Sequence, residues 1–440
     1  MESKTIRFQL NPLKARLVSI VLSLCLLAVI EISARMLCRE DREIYKILNL
    51  LELDYDLFWK MRPRLNVVFH GVRVVTNEMG FREKEIPLVK KSGALRILCL
   101  GASPTFGWGV EETDRYSNVL QKMLLESSFP GENFEVINAG IIGYSSYQGS
   151  VLLKKIMPIL KPDIVTVPFV VNDVDKYRLF LNDGKADRKA VSPSRVRLFI
   201  ENSLARSGLA TVLKRIIFGW NTDRAELKIK SRLPFTDTLR VSADDYYNNL
   251  LAIVQTARQQ GAKTILMKMP VYNPFPDHAA GSEADRLEAE KMFTAGLRQA
   301  ESGDSAAELG AITEALKYAP YSAKMYNMLG RLYYRLDNKK ESRFYFDKEK
   351  KMELRACIKN IRGYGTMMKK VSTQTGVPIA DVSARFTAIP RKNVASLFVE
   401  PERDIVHLSP LGHRIAAEEL YRVISRNSFL EGPGKRRHRP

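Results

Sequence analysis

From residue 95 onward the chain alternates short, almost wholly apolar runs with longer stretches whose apolar residues recur every three or four positions. Arg96–Leu100, Phe134–Asn138 and Asp163–Phe169 read as buried strands, and Lys263–Met269 and Val377–Val382 supply a fourth and a fifth. Between them, Tyr116–Ser127, Tyr147–Leu160 and Asp244–Gln259 carry the helical period, and Pro410–Ser425 closes the series. Strands without polar alternation are strands buried on both faces. Their alternation with helices predicts βαβ units. The expected class is α/β: three layers, α/β/α, around a five-stranded, mostly parallel sheet.

Two segments interrupt that pattern. Within residues 176–240, Arg195–Trp220 is basic and rich in large apolar residues, among them Phe199, Ile216, Ile217, Phe218 and Trp220. Packing against the sheet is the simpler expectation, with a position on a membrane surface as the alternative. Residues 284–356 differ in kind. Gly296 and Gly330 lie 330 − 296 = 34 positions apart, and on that period Met292 matches Tyr326, Ala295 matches Leu329 and Ile312 matches Phe346. This spacing resembles tetratricopeptide repeats, each a pair of antiparallel helices. An inserted, all-α repeat subdomain is therefore expected. Such units do not bury their faces alone, so this one should pack on the α/β domain or bind a protein partner.

The amino-terminal pattern is different again. Lys4, Arg7, Lys14 and Arg16 precede Leu17–Ile30, which carries no charge. Counted through Ala34, residues 17–34 are at the short end of what crosses a bilayer. A signal cleaved after Ala34 would need a small residue at position minus three, and Ile32, which stands there, fits poorly. An uncleaved single-pass anchor is expected, with the basic flank inside and the remainder on the extracytoplasmic side. Residues 39–94, broken by Pro63, Gly71 and Gly80, read as an irregular lead-in. The expected organisation is thus a stub and anchor over 1–38, the lead-in over 39–94, an α/β domain in two parts over 95–283 and 357–427, the helical insertion over 284–356, and a basic flexible tail over 428–440.

Composition narrows the function classes. The chain has 440 residues and a net charge of +20, spread along most of its length. No zinc spacing and no aromatic RNA-binding signature accompany the charge, so nucleic acid is not an expected partner. Attraction to anionic lipid or an acidic polymer explains it as well. The four cysteines, Cys25, Cys38, Cys99 and Cys357, form neither a disulfide framework nor a metal-ligand cluster. No cofactor and no metal is expected, Asp173 and Asp175 being read as shaping a loop.

The candidate chemistry sits at strand ends. Leu98-Cys-Leu-Gly-Ala-Ser103 runs from the first strand into a glycine-rich turn, and Asn138-Ala-Gly-Ile-Ile-Gly143 follows the second. Val171-Asn172-Asp173 follows the third, and Asp404-Ile-Val-His407 precedes the last helix. Ligands of open parallel sheets bind beyond the carboxyl ends of the strands, where these loops should converge. A serine hydroxyl becomes a useful nucleophile when an imidazole takes its proton. His407 is the candidate base, and Asp404 the residue that fixes its tautomer. The Ser103 and Gly143 backbone N–H groups and the Asn172 side-chain amide are candidate oxyanion donors.

Four such blocks, in this order, resemble the SGNH (GDSL-type) hydrolase superfamily, whose Ser, Gly, Asn and His fall on Ser103, Gly143, Asn172 and His407. The resemblance spans about residues 75–175 and 240–425. Thr76-Asn-Glu-Met-Gly-Phe-Arg82 also resembles a segment ahead of the first block in bacterial membrane-anchored members. Two positions depart from the family pattern: Ala102 stands where an aspartate is usual, and Val170 where a glycine is common. His413 corresponds to a structural histidine of that family; His70 and His278 have no partner visible in the sequence. The resemblance implies a flavodoxin-like fold and a serine esterase acting on O-acyl, notably O-acetyl, esters of cell-envelope carbohydrate or on small esters. The same triad would serve an O-acyltransferase, and Ala102 together with the repeats leaves a non-catalytic scaffold as a further reading.

Overall fold

The computed structural model describes residues 11–37, 47, 50–127, 133–176, 185–205, 207–210, 212–213, 227, 231, 235–275, 283–401, 404–427 and 429. The expectations attached to Lys4, Arg7, Cys38, Ile216, Ile217, Phe218, Trp220, His278 and the basic tail lie outside them.

Helix α1 spans Pro12–Leu37 and is long and apolar enough to cross a membrane, by length and composition. The segment after it is not the irregular lead-in that its breakers suggest. It folds into two antiparallel hairpins, β1 (Leu51–Asp54) with β2 (Phe58–Met61), and β3 (Asn66–Phe69) with β4 (Val72–Val75). Their apolar residues enter the main core: Trp59, Phe69 and Val74 are buried. Each strand is four residues long, too short for its period-two alternation to stand out beside Pro63 and Gly71.

Strand β5 (Ala94–Gly101) leads through a one-turn helix at Ser103–Phe106 to helix α2 (Tyr116–Leu125). Strand β6 (Asn133–Gly140), helix α3 (Ser146–Leu160), strand β7 (Ile164–Val167) and helix α4 (Arg195–Ala205) follow. Then come helix α5 (Ala243–Gln259) and strand β8 (Lys263–Lys268). Four further helices are α6 (Glu283–Ser302), α7 (Ser305–Tyr318), α8 (Ala323–Arg335) and α9 (Lys339–Thr375). Strand β9 (Ile379–Asp381), two short helical turns and helix α10 (Pro410–Arg426) complete the described chain.

The sheet runs β6-β5-β7-β8-β9, every neighbouring pair parallel. Counted within the sheet this is order 2-1-3-4-5, the flavodoxin-like doubly wound arrangement. Side chains of each strand alternate between two cores, as the pleat requires. Leu98, Leu100, Val165, Val167 and Leu266 face the core that also takes in α3, α5 and the hairpins. Ile97, Cys99, Ile164, Ile265 and Met267 face a second core closed by α2 and α10. Fully burying a large apolar side chain contributes roughly 1.5–3 kcal/mol, so the two cores fix the sheet and with it the loops at its carboxyl edge.

The helices between β8 and β9 pair as hairpins, α6 with α7 and α8 with α9, around Phe293, Ile312, Met325 and Leu329. Helix α9 is 37 residues long and crosses the expected boundary at 356/357 without a break. Its second half carries Ile361, Tyr364, Met368 and Val371 into the main core. The Tyr364 hydroxyl donates to the Val241 carbonyl at 2.6 Å. One rigid helix therefore belongs to both the repeat-like hairpins and the α/β domain.

Candidate active site

Strand β5 ends at Gly101, and the chain turns at Ala102 so that Ser103 opens the one-turn helix, with Pro104 at its second position. Proline suits that place, since its missing N–H is one the helix would leave unpaired. The turn is closed by the Gly107 and Trp108 N–H groups, which donate to the Ser103 carbonyl at 3.1 and 3.3 Å. Ser103 is 8% exposed.

His407 Nε2 lies 2.7 Å from Ser103 Oγ, although 304 residues separate them in sequence. On the other side of the ring, Nδ1 contacts Asp404 Oδ2. The three-residue spacing has a local cause. Asp404 Oδ1 accepts the backbone N–H of Val406 and of His407, at 3.0 and 3.1 Å. One carboxylate oxygen thus folds the loop and the other holds the imidazole. Burial alone would raise the Asp404 pKa; the hydrogen bond and charge of His407, with the two backbone N–H groups, outweigh it and hold it below the usual range.

The remaining predicted blocks are close by. Ile141 N–H donates to the Gly101 carbonyl at 3.1 Å, and the Asn138 amide to the Thr105 carbonyl at 2.6 Å, which seats the second loop on the Ser103 turn. Gly143 has φ +78°, in the left-handed region that glycine enters without strain. Asn172 Nδ2 donates to the Tyr144 carbonyl at 2.9 Å, tying the third loop to the second. A primary amide carries two N–H groups, so one remains for a ligand oxygen.

Several supporting residues had no signal in the sequence reading. Arg240 and Asp187 form a buried ion pair at 3.0 Å. Arg240 Nη1 donates to the Gly143 carbonyl at 2.8 Å and Nη2 to Gln148 Oε1 at 2.8 Å, while Ser145 Oγ donates to Asp187 at 2.7 Å. The pair holds the Gly143 loop against the start of α3, where Ser145 and Gln148 form a capping box. Asp173 shapes the loop as expected, its Oδ1 accepting the Ser146 N–H at 2.8 Å. Burial pushes its carboxyl up to about 6.

The lead-in reaches the site twice. Arg82 is buried and donates from Nη1 to the Gly107 carbonyl at 2.6 Å, and from Nη2 to the Val110 and Arg73 carbonyls at 3.0 and 2.9 Å. The β3–β4 hairpin brings Phe69 and His70 against Trp108, with ring centroids 4.8 and 4.5 Å apart. Trp108 in turn stacks on His407, at 4.8 Å and 10° between planes. The Phe-Gly-Trp-Gly run after Ser103 was the available signal for that wall.

His413 is buried, and its Nδ1 accepts the Tyr116 N–H at 3.3 Å. Burial pushes its pKa down to about 3, so it is neutral at physiological pH. Cys99 is buried, its thiol pushed up to about 12 by desolvation. No group of three or more metal-binding side chains occurs among the described residues. A cavity of about 180 Å³ beside β8 and α9 includes Val170, Tyr246 and Met269 but none of Ser103, Asp404 or His407. It belongs to the packing of α9 on the sheet rather than to the chemistry.

The all-parallel 2-1-3-4-5 sheet and the convergence of Ser103, Gly143, Asn172 and His407 at its edge define the class of protein. It is a doubly wound, flavodoxin-like α/β fold carrying a Ser-His-Asp constellation, and the four sequence blocks that resemble SGNH (GDSL-type) hydrolases meet at its edge. No protein-family model matches the chain, and no curated protein is similar to it in sequence. Solved structures similar to it include an acetyl xylan esterase, AlAXEase (15% identity, 75% of this chain and 100% of that one, TM-score 0.37). A lipase/acylhydrolase from Enterococcus faecalis (12%, 76% and 96%, 0.34) is another. A third is a catalytic mutant of Axe2, an acetylxylan esterase from Geobacillus stearothermophilus (16%, 75% and 94%, 0.35).

Proposed function

We propose that the chain is a membrane-anchored serine esterase that cleaves O-acyl esters, with O-acetyl groups on cell-envelope carbohydrate as its substrate class. The single observation that carries this is the hydrogen-bonded line Ser103 Oγ, His407 Nε2, His407 Nδ1, Asp404 Oδ2. As Oγ attacks the ester carbonyl its proton passes to Nε2, and Asp404 stabilises the imidazolium. The oxyanion is met by the Ser103 and Gly143 N–H groups and the free N–H of Asn172. Collapse of the tetrahedral intermediate expels the sugar alkoxide, which takes the proton from Nε2 and leaves an acyl-serine. Water then repeats the sequence, giving carboxylate and restoring Ser103. A sugar hydroxyl in place of water would make the same site an acyltransferase.

Support for the anchor is α1, whose apolar length suits a bilayer, and the +20 charge suits an anionic surface or polymer. The Arg82 contacts support a function for Ala102: the turn is fastened from the lead-in side without an aspartate before the serine. Ser103→Ala should abolish turnover of p-nitrophenyl acetate by the detergent-solubilised full chain while its melting curve stays intact. Retained turnover would overturn the reading. Product analysis with an added oligosaccharide acceptor separates transfer from hydrolysis, since an acylated oligosaccharide forms only in the first.

A further inference from the structure

Helix α4 turns the wrong face outward for a helix of a water-soluble domain. Val196, Phe199, Ile200 and Leu204 are 70%, 73%, 49% and 46% exposed. Their spacing puts all four on one side of an α-helix. Arg195 and Arg197 border that side, the first with its guanidinium over the Tyr55 ring and the second paired with Glu201 at 2.6 Å. The opposite side is the one that docks. Leu198 is buried, and the Asn202 side chain exchanges two hydrogen bonds with the backbone of Leu53, at 2.8 and 2.9 Å. The expectation that this segment packs its large apolar residues on the sheet therefore fails at Phe199. The helix is fixed to the hairpins by one short face and leaves the apolar stripe bare.

What covers the stripe is indicated by what α4 is tied to. Just past its end, Ser207 Oγ and the N–H groups of Gly208 and Leu209 donate to the Glu31 carboxylate, at 2.8, 2.7 and 3.1 Å. Glu31 is the first charged residue after the uncharged Leu17–Ile30 run of α1. Gly208 lies so close to α1 that a β-carbon there would sit 2.7 Å from the Arg35 nitrogen. The far end of α4 is thereby locked to the place where α1 leaves its apolar run. At 1.5 Å per residue, Phe199 is about 9 Å along the axis from Ala205, the last residue of α4. A helix with an apolar stripe flanked by arginines, held beside the end of a membrane span, has the form of an interfacial helix. Its arginine stems can cover apolar surface while their guanidiniums reach lipid phosphate.

We propose that α4 lies in the surface of the bilayer that α1 spans, with Val196, Phe199, Ile200 and Leu204 buried at the headgroup–acyl boundary. The inference rests on α1 being retained as a span. Together the span and α4 give the α/β domain two attachments to one membrane and so fix its orientation on it. The serine site then faces a set direction relative to the lipid surface.

The test uses the full-length chain in vesicles of three parts phosphatidylethanolamine to one part phosphatidylglycerol, with and without bromine on the acyl chains. Added tryptophan fluorescence is read against the unsubstituted chain for Phe199→Trp, for Leu27→Trp in α1, and for Ile159→Trp on α3. The proposal expects the Phe199→Trp and Leu27→Trp emission to fall as brominated lipid increases, and the Ile159→Trp emission to hold. If Leu27→Trp is quenched and Phe199→Trp is not, the anchor stands and the interfacial placement of α4 is overturned. If neither is quenched, α1 is not a span, and the proposal falls with it. A Phe199→Trp band that shifts to the blue without quenching would mean a protein surface covers the stripe, which also overturns it.

Discussion

Removing the Arg82 guanidinium, as in Arg82→Met, should weaken the fold and the site together. The side chain is buried and nearly isosteric with methionine plus a lost charged head, so the backbone path is kept. Three carbonyls at or within 3.0 Å lose their donor: Gly107, Arg73 and Val110. Hydrogen bonds from a charged donor contribute about 1.5–3 kcal/mol apiece. Against that stands the cost of burying the charge beside Arg115, which pushes the Arg82 pKa down to about 10 but leaves it protonated at neutral pH. Leaving buried carbonyls without a donor costs about 1–3 kcal/mol apiece, about 3–9 kcal/mol for three. The lower end is expected, since relief of the Arg115 repulsion offsets part of it. The Gly107 carbonyl belongs to the residue whose N–H closes the Ser103 turn. A shift of about 1 Å there should lower kcat about 100-fold. Urea unfolding and p-nitrophenyl acetate turnover on the same preparation read both effects. Unfolding within about 0.5 kcal/mol of the parent, the range of an ordinary surface substitution, with unchanged turnover, would refute the claim that the lead-in fastens the nucleophile turn.

Trp108→Ala should lower kcat about tenfold, because an aromatic stack is worth about 0.5–1.5 kcal/mol and the ring holds His407. Trp108→Phe should recover most of the loss, whereas equal loss in both would deny the stacking role. Gly330→Ala in α8 ordinarily gains about 1 kcal/mol of helix propensity, but here the methyl would meet the buried Phe346 ring at 2.9 Å. A fall in melting temperature is expected, with esterase turnover unchanged below the melt; a rise would contradict the packing. The folded state holds the Asp173 proton more tightly than the unfolded chain, its carboxyl standing at about 6 against an ordinary 3.8. Its contribution therefore worsens as pH rises from about 4 through 6, by on the order of 3 kcal/mol. Asp173→Asn should melt higher relative to the parent at pH 8 than at pH 5, and a gap that does not widen would count against it.

The sheet was legible because each strand is a continuous apolar run, and the five strands fall within about three residues of their expected ends. Three of the converging blocks were legible for a related reason, each following a strand, and the fourth through an acid and an imidazole three positions apart ahead of the last helix. What escaped the sequence was whatever depended on distant pairing. The hairpins at 51–75 declare themselves only through Trp59 and Phe69 entering a core built by other elements. The end of the insertion was misplaced because the repeat period stops there, yet the stripe Ile358, Ile361, Tyr364, Met368 and Val371 continues the helix. Arg240 and Asp187 lie in the segment with the weakest pattern, and nothing local predicts that they support the Gly143 loop. Phe199 misled in the opposite way. A large apolar residue is expected inside, and only the tie between Glu31 and residues 207–209 shows why it is not.

The measurement that bears most directly on the account is labelling of the full-length chain with a fluorophosphonate probe, the modified residue being located by mass spectrometry. The geometry predicts a phosphonylated Ser103, no label in Ser103→Ala, and labelling slowed strongly in His407→Ala. A folded chain that takes no label, or takes it on another residue, would contradict the reading of Ser103 as a nucleophile activated by His407 and Asp404.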